Sequence, residues 1–180
     1  MIGVRSVIAI GALILGAGGF GAQGQKSHAE REQRQFSAED EAVKRPVTIP
    51  DEVMKILAKD ERTGDELAEE GLTPEQLPQT WFSAAKVHLG GPIEEDLIVT
   101  SVGPLRGANI DPFWVFIHNS HGYRLVLTDF VHDLIVENTR SHGYRDLVTY
   151  SMTASTISTV RFRFDGSLYQ EASSKLEDLK

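Results

Sequence analysis

Val160-Arg161-Phe162-Arg163-Phe164-Asp165-Gly166 alternates apolar and basic residues without a break and then stops at an Asp-Gly pair. Strict alternation is the mark of a strand with one face buried and one in water, because successive strand side chains point to opposite faces. Asp-Gly directly after it predicts a two-residue type I′ hairpin turn. The partner strand is then expected over residues 167–172.

Moving outward, similar runs predict strands over residues 81–89, 96–102, 113–118, 123–130, 133–137, 144–151 and 158–164. Val115-Phe116-Ile117 ends at His118-Asn119-Ser120-His121-Gly122 much as the first strand ends at its turn. Short connections of this kind join antiparallel neighbours. A β domain is therefore expected over residues 80–174, with a tail at 175–180.

Two internal echoes refine this expectation. Asp96-Leu97-Ile98-Val99 returns as Asp146-Leu147-Val148-Thr149, each followed by an aromatic strand, a turn and a further strand. That spacing predicts two four-stranded meanders. Ser120-His121-Gly122-Tyr123-Arg124 also recurs, as Ser141-His142-Gly143-Tyr144-Arg145, but with a different period. It reads as a reused turn into a strand.

Gly143-Tyr144-Arg145-Asp146-Leu147-Val148, with Phe162-Arg163-Phe164-Asp165-Gly166 and Tyr169, resembles the blade pattern of FG-GAP and VCBS-type repeats. The run from Trp81 to Tyr169 also resembles uncharacterised exported proteins of acidobacterium-like bacteria. The shared features are the WFSAAKVHL opening, the DLIV strand, the Gly107-Ala108-Asn109 loop before Phe113-Trp114, and the final RFDG-x-x-Y. The resemblance covers about half the chain and implies an exported, mostly β domain. Repeats of that type usually carry an aspartate-rich calcium loop ahead of the D-L strand. Here Asn138-Thr139-Arg140-Ser141-His142 stands there without a carboxylate, so calcium is not implied. Two blades cannot close a propeller, which takes four or more. The expected fold is mostly β: two antiparallel four-stranded meanders forming a sandwich, a barrel or a blade-like pair, preceded by a short α-helix.

The N-terminus reads as a secretory signal peptide over residues 1–24. Arg5 supplies the positive start, and Ser6 to Phe20 is free of charge and rich in apolar residues. Ala22 and Gly24 offer the small side chains that a cleavage site needs, predicting a cut before Gln25; Ser27 and Ala29 offer a second site before Glu30. The apolar run is shorter and richer in glycine than a spanning helix, so no stable membrane insertion is expected after cleavage. A periplasmic or secreted location follows.

About 155 residues remain, enough for one domain and a tail. The formal net charge is −8, which opposes binding to nucleic acid, where a concentrated basic face is required. There is no cysteine, so thiol catalysis, thiolate metal sites and disulfide staples are excluded. Residues 25–47 are highly charged, with Phe36 the single large apolar group before Val43. Such a stretch is expected to be a disordered tether.

Residues 48–79 read as a short helix and an acidic linker. Thr48 is the expected cap, Pro50 lies in the first turn, and Ile49, Val53, Ile56 and Leu57 form a stripe that would dock on the β domain. From Asp60 to Gln79 the chain is acidic, with one further turn expected at Thr73-Pro74-Glu75-Gln76. Its acids lack the alternating spacing and central glycine of a calcium loop.

No constellation names a reaction. His118, His121, His132 and His142 read as turn histidines, not convergent zinc ligands. Ser101, His132 and Asp133 could be drawn as a triad, but no G-x-S-x-G elbow supports it. Glu94, Glu95, Asp96, Asp111 and Asp129 are the available carboxylates for acid–base work. The loop from Gly103 to Pro112 is the most distinctive segment, being long for a hairpin connection. Arg106 and Asn109 are its expected binding groups, with Trp114 beneath. The expected function is a non-enzymatic exported binding or structural domain of the bacterial envelope, with a protein or envelope partner and neither cofactor nor metal. The alternatives are a periplasmic inhibitor of a lysozyme-like hydrolase, whose protruding loop would enter the target's cleft, and a hydrolase.

Overall fold

A computed structural model describes residues 32–39, 41–91 and 93–179. The expected signal peptide, both cleavage sites and the start of the expected tether lie outside the described residues. The elements are β1 (Gln35–Ser37), α1 (Asp51–Leu57), α2 (Glu61–Glu69), β2 (Phe82–Val87), β3 (Asp96–Ser101), β4 (Asp111–Asn119), β5 (Gly122–Val131), β6 (Asp133–Ser141), β7 (Tyr144–Met152), β8 (Thr156–Phe164) and β9 (Tyr169–Asp178). They form one antiparallel sheet in the order β2-β3-β4-β5 and a second in the order β1-β6-β7-β8-β9. Both expected meanders are present, and neither sheet closes into a barrel. The architecture is a mostly β sandwich.

Its layering follows from which strands carry apolar residues on both faces. In β4, Phe113, Val115 and Ile117 join Ile98 and Val87 against Leu134, Val136, Leu147 and Phe164 of the second sheet. The alternate residues Trp114 and Phe116 join Leu97, Val99 and Ala84 against Val53, Leu57 and Leu67 of the helices. Three layers result: helices, four-stranded sheet, five-stranded sheet. A strand covered on both faces reads as an unbroken apolar run, as β4 does. A strand covered on one face alternates, as β8 does, sending Arg161 and Arg163 outward.

The two meanders correspond position by position. Leu97 opposite Phe116 matches Leu147 opposite Phe162, and Ala84 opposite Val99 matches Leu134 opposite Thr149. In the first meander Ala84, Leu97 and Phe116 face the helices. Their counterparts Leu134, Leu147 and Phe162 face the first meander. Equivalent faces thus point the same way, so the sheets stack head to tail, with α1 and α2 capping the free face of the first. The hydrogen bonds repeat too. Tyr123 Oη donates to the Glu95 carbonyl at 3.0 Å, and Tyr169 Oη donates to the Arg145 carbonyl at 2.6 Å. Ring partners match as well: His118 packs on Tyr123 and Phe164 on Tyr169.

Tyr169 is the buried member of this pair, and burial pushes its hydroxyl well above the usual phenol range. It therefore stays a donor at every ordinary pH. Tyr169→Phe leaves the Arg145 carbonyl without that donor and is expected to cost about 1–2 kcal/mol. Tyr123→Phe, at an exposed bond, should cost less than half as much. Urea unfolding of the two variants checks the ranking.

Several boundaries need correction. In its described residues, 32–39 and 41–47, the expected tether is folded: β1 pairs with β6, and Phe36 and Val43 are buried. Apolar content alone missed it because two anchors suffice when each is fully enclosed. The acidic linker contains α2, whose Asp60 caps it by accepting from the Thr63 amide at 3.2 Å. The stripe of α1 docks as expected, but the helix starts after an extended Pro50 and has no side-chain cap. The tail belongs to β9 as far as Asp178.

Finally, Asp165-Gly166 does not form a two-residue turn. Phe164 pairs with Tyr169, so the loop has four residues. Asp165 accepts from the amides of Ser167 and Leu168 at 2.7 and 2.8 Å, so the side chain selects a longer turn. The two-residue turn with both φ positive is His142-Gly143, at 49° and 86°. Its echo at Ser120-His121 is offset by one position, with Gly122 already in β5.

Candidate functional site

The segment between β3 and β4 is folded back onto the sandwich. Gly103–Leu105 makes a 3₁₀ turn that plugs Leu105 into the helix-side core. Arg106 Nη2 donates to the Ala38 carbonyl at 2.5 Å, and its Nε lies 3.4 Å from Asp111 Oδ2. Asp111 Oδ1 accepts from the Gly107 amide at 3.0 Å. Gly107 is required by close approach, since a Cβ there would stand 2.0 Å from the Ile110 carbonyl oxygen. The loop is a strap joining β3, β4 and the N-terminal segment.

Beside this strap lies a cleft of about 480 Å³, lined by Glu39, Glu41, Ser83, Ser101, Arg106 and Asp111. Thr100 also contributes to its wall. The Thr100 hydroxyl oxygen is buried and has no hydrogen-bond partner among the described residues, and the Ser101 hydroxyl lies beside the Asp111 carboxylate. Native folds leave few such groups unpaired. Arg106 is the expected site residue that the cleft retains, and Ser101 and Asp111 join it from two other expected groupings.

The remaining expected groups fall elsewhere. Trp114 is a correction: it is fully buried, donates from Nε1 to Asp60 Oδ2 at 3.0 Å, and meets Phe82 edge-on. It fastens α2 to the sheet and presents nothing to a ligand. Asn109 is exposed on the loop and makes no hydrogen bond among the described residues. Ser101, His132 and Asp133 are not joined by hydrogen bonds; His132 Nδ1 instead accepts from the Met152 amide at 3.1 Å. The His142 ring Nδ1 donates to the Phe164 carbonyl at 2.8 Å. Among the described residues no group of three or more histidine and acidic side chains could hold a metal ion.

The carboxylates are separately engaged. Glu94 accepts from the Gly91 amide, Glu95 pairs with Lys86, and Asp129 accepts from the Phe130 amide. Lys86 holds Glu95 below the usual carboxylate range. Asp111 moves the other way: burial lifts it, against the pull of the Gly107 amide and of Arg106. A raised folded-state pKa means that the folded protein binds this proton more tightly than the unfolded chain does. The resulting stabilisation is complete below the unfolded pKa and is lost as pH rises through the folded one. The stability of the wild type relative to Asp111→Asn is therefore expected to fall as pH is raised from below the carboxylate range to neutrality. Denaturant melts across that range test this; a pH-independent difference would contradict it.

Sequence reading had no signal for a second cleft, of about 570 Å³, between α1 and residues 74–79. Met54, Ala58 and Leu77 give it an apolar wall with Lys55 and Lys59 on its rim. It is made by the return of the chain after α2, which no local pattern announces. No helix among the described residues is long and apolar enough to cross a membrane. Comparison with protein-family models, curated proteins and solved structures finds no match to this chain.

Proposed function

We propose that the protein is a non-enzymatic exported domain of the bacterial envelope, periplasmic or secreted, that binds a partner through the cleft beside the 103–111 strap. The observation that carries this reading is the meeting of the N-terminal segment, the end of β3 and the strap around a buried Asp111 paired with a solvent-reaching Arg106. Binding groups set on loops and held by a rigid sheet are the usual way such scaffolds recognise ligands. The orphaned Thr100 hydroxyl under the cleft adds hydrogen-bonding capacity that the fold itself does not use.

The reading is tested with the exported chain, expected to begin at Gln25, immobilised and exposed to envelope extract. One component should be retained by the wild type and lost on Arg106→Ala, a variant first shown to be folded. Equal retention by both would overturn the assignment of the cleft. The lysozyme-inhibitor reading draws on the net charge of −8, which suits a basic target. Against it, the loop that would enter the target's cleft is pinned by Leu105 and Arg106. Inhibition of lysozyme at micromolar concentration, abolished by Arg106→Ala, would favour it over an envelope partner.

A further inference from the structure

At one end of the sandwich the β2–β3 turn, the β6–β7 hairpin and the residues before β1 bring together Arg34, Arg140, Arg145 and His88. Arg140 Nη1 donates to the carbonyls of Leu89, Gly90 and Gly143 at 2.8, 2.5 and 2.6 Å. Arg145 donates from Nε to the His88 carbonyl at 3.1 Å, and from Nη1 to the Glu137 carbonyl and Asn138 Oδ1, both at 3.3 Å. Arg34 Nη1 shares Asn138 Oδ1. The carbonyls fix the guanidinium groups in place but carry no formal charge to balance them.

Among the described residues Glu32 is the carboxylate in direct contact with the cluster, while Glu95 feels the charge of His88 from further off. Glu32 Oε1 accepts from the His88 amide and lies 3.1 Å from His88 Nδ1, while Oε2 lies 3.4 Å from Arg34 Nε. Burial and the neighbouring charges of Arg34 and Arg140 push the Arg145 pKa below its usual value, and Glu32 is the group that opposes them. The Nη2 atoms of Arg34 and Arg145 have no hydrogen-bond partner among the described residues. Side chains here are open to solutes, with His88 35% and Arg34 37% exposed.

We propose that this cluster is an oxyanion-binding site, occupied in the free protein by the tethered carboxylate of Glu32. A backbone amide beside a guanidinium is the donor pair that recognises carboxylate and phosphate oxygens. Glu32 precedes β1 and can swing away while Phe36 keeps β1 seated. The ligand is an oxyanion, carboxylate or phosphate, which replaces Glu32 and engages the unused Nη2 donors as well. The site is separate from the 103–111 cleft, and either assignment can fail without the other.

Inorganic phosphate is the probe, titrated at constant ionic strength into the folded wild type, Glu32→Gln and the double variant Glu32→Gln/Arg34→Gln, with the backbone amides of Glu32 and His88 followed by NMR. A tethered competitor that fills its site nine-tenths of the time weakens apparent affinity about tenfold. Glu32→Gln is therefore expected to bind phosphate about ten times more tightly than the wild type, and the double variant to lose that gain. In the wild type, saturating phosphate should shift Glu32 and His88 together. Equal affinity in wild type and Glu32→Gln, or a wild type whose His88 amide shows no saturable shift, would overturn the proposal. So would a double variant that binds as tightly as Glu32→Gln.

Discussion

Phe36→Ala is expected to cost about 3–5 kcal/mol, the usual range for emptying a fully enclosed phenylalanine site. Phe36 is 0% exposed and lies in the core between the two sheets, opposite Leu134 in the short β1–β6 ladder. No neighbouring strand can close over the gap, because β1 is three residues long and lies at the sheet edge. At roughly 2–4 °C per kcal/mol for a domain of this size, the midpoint should fall by about 10 °C. The adjacent Gln35→Ala, at an exposed position, should stay within about 0.5 kcal/mol of wild type. If residues 32–47 were a solvated tether, both substitutions would be neutral. Thermal and urea unfolding of the pair separates the two cases.

That contrast shows what local sequence could reveal. β2 to β8 were legible because each carries a run of alternating or continuous apolar residues long enough to define a face, and the start of β9 because the turn after β8 demands a partner strand. β1 was not, since its evidence is one phenylalanine among charges and its partner β6 is about a hundred residues away. α2 was hidden because only Thr63 and Leu67 are buried in it, too few to display a helical period. The end of β9 is exposed at every position after Tyr169, so its strand character comes from pairing with β8 and not from burial.

At the site, the strap was legible through its length and glycines, and Arg106 through its place within them. Trp114 misled because a polar-tipped aromatic beside a loop is equally suited to a ligand platform and to a core post; Asp60, fifty-four residues earlier, decides between them. The Glu32–His88–Arg34 contacts join residues remote in sequence, and neither a motif nor a charge run marks them.

The longer echo was legible for a definite chemical reason, which leads to the second large effect. Asp96→Ala is expected to cost about 3 kcal/mol or more. Asp96 is 0% exposed. Its Oδ2 accepts from the amides of Leu89 and Gly90 at 2.8 and 3.2 Å, and its Oδ1 from the His118 amide at 2.9 Å. One carboxylate thus closes the β2–β3 turn and ties it to the end of β4. Truncation orphans three amides, that of Leu89 buried and those of Gly90 and His118 part-buried, each costing about 1–3 kcal/mol where water cannot reach.

Asp146 holds the equivalent position and does the same work with other partners. It accepts from Thr139 Oγ1 and Ser141 Oγ, both at 2.7 Å, with Arg163 and Arg161 at 3.9 and 4.0 Å. Hydroxyl groups rotate and those arginines reach solvent, so Asp146→Ala should cost about 1–2 kcal/mol, clearly less than Asp96→Ala. Urea denaturation of the two variants provides the comparison. Equal losses would mean that backbone and hydroxyl donors are interchangeable in this clamp. A smaller loss at Asp96 would mean that its turn opens to water once the carboxylate is gone, and that the first meander is held by its helical cap alone.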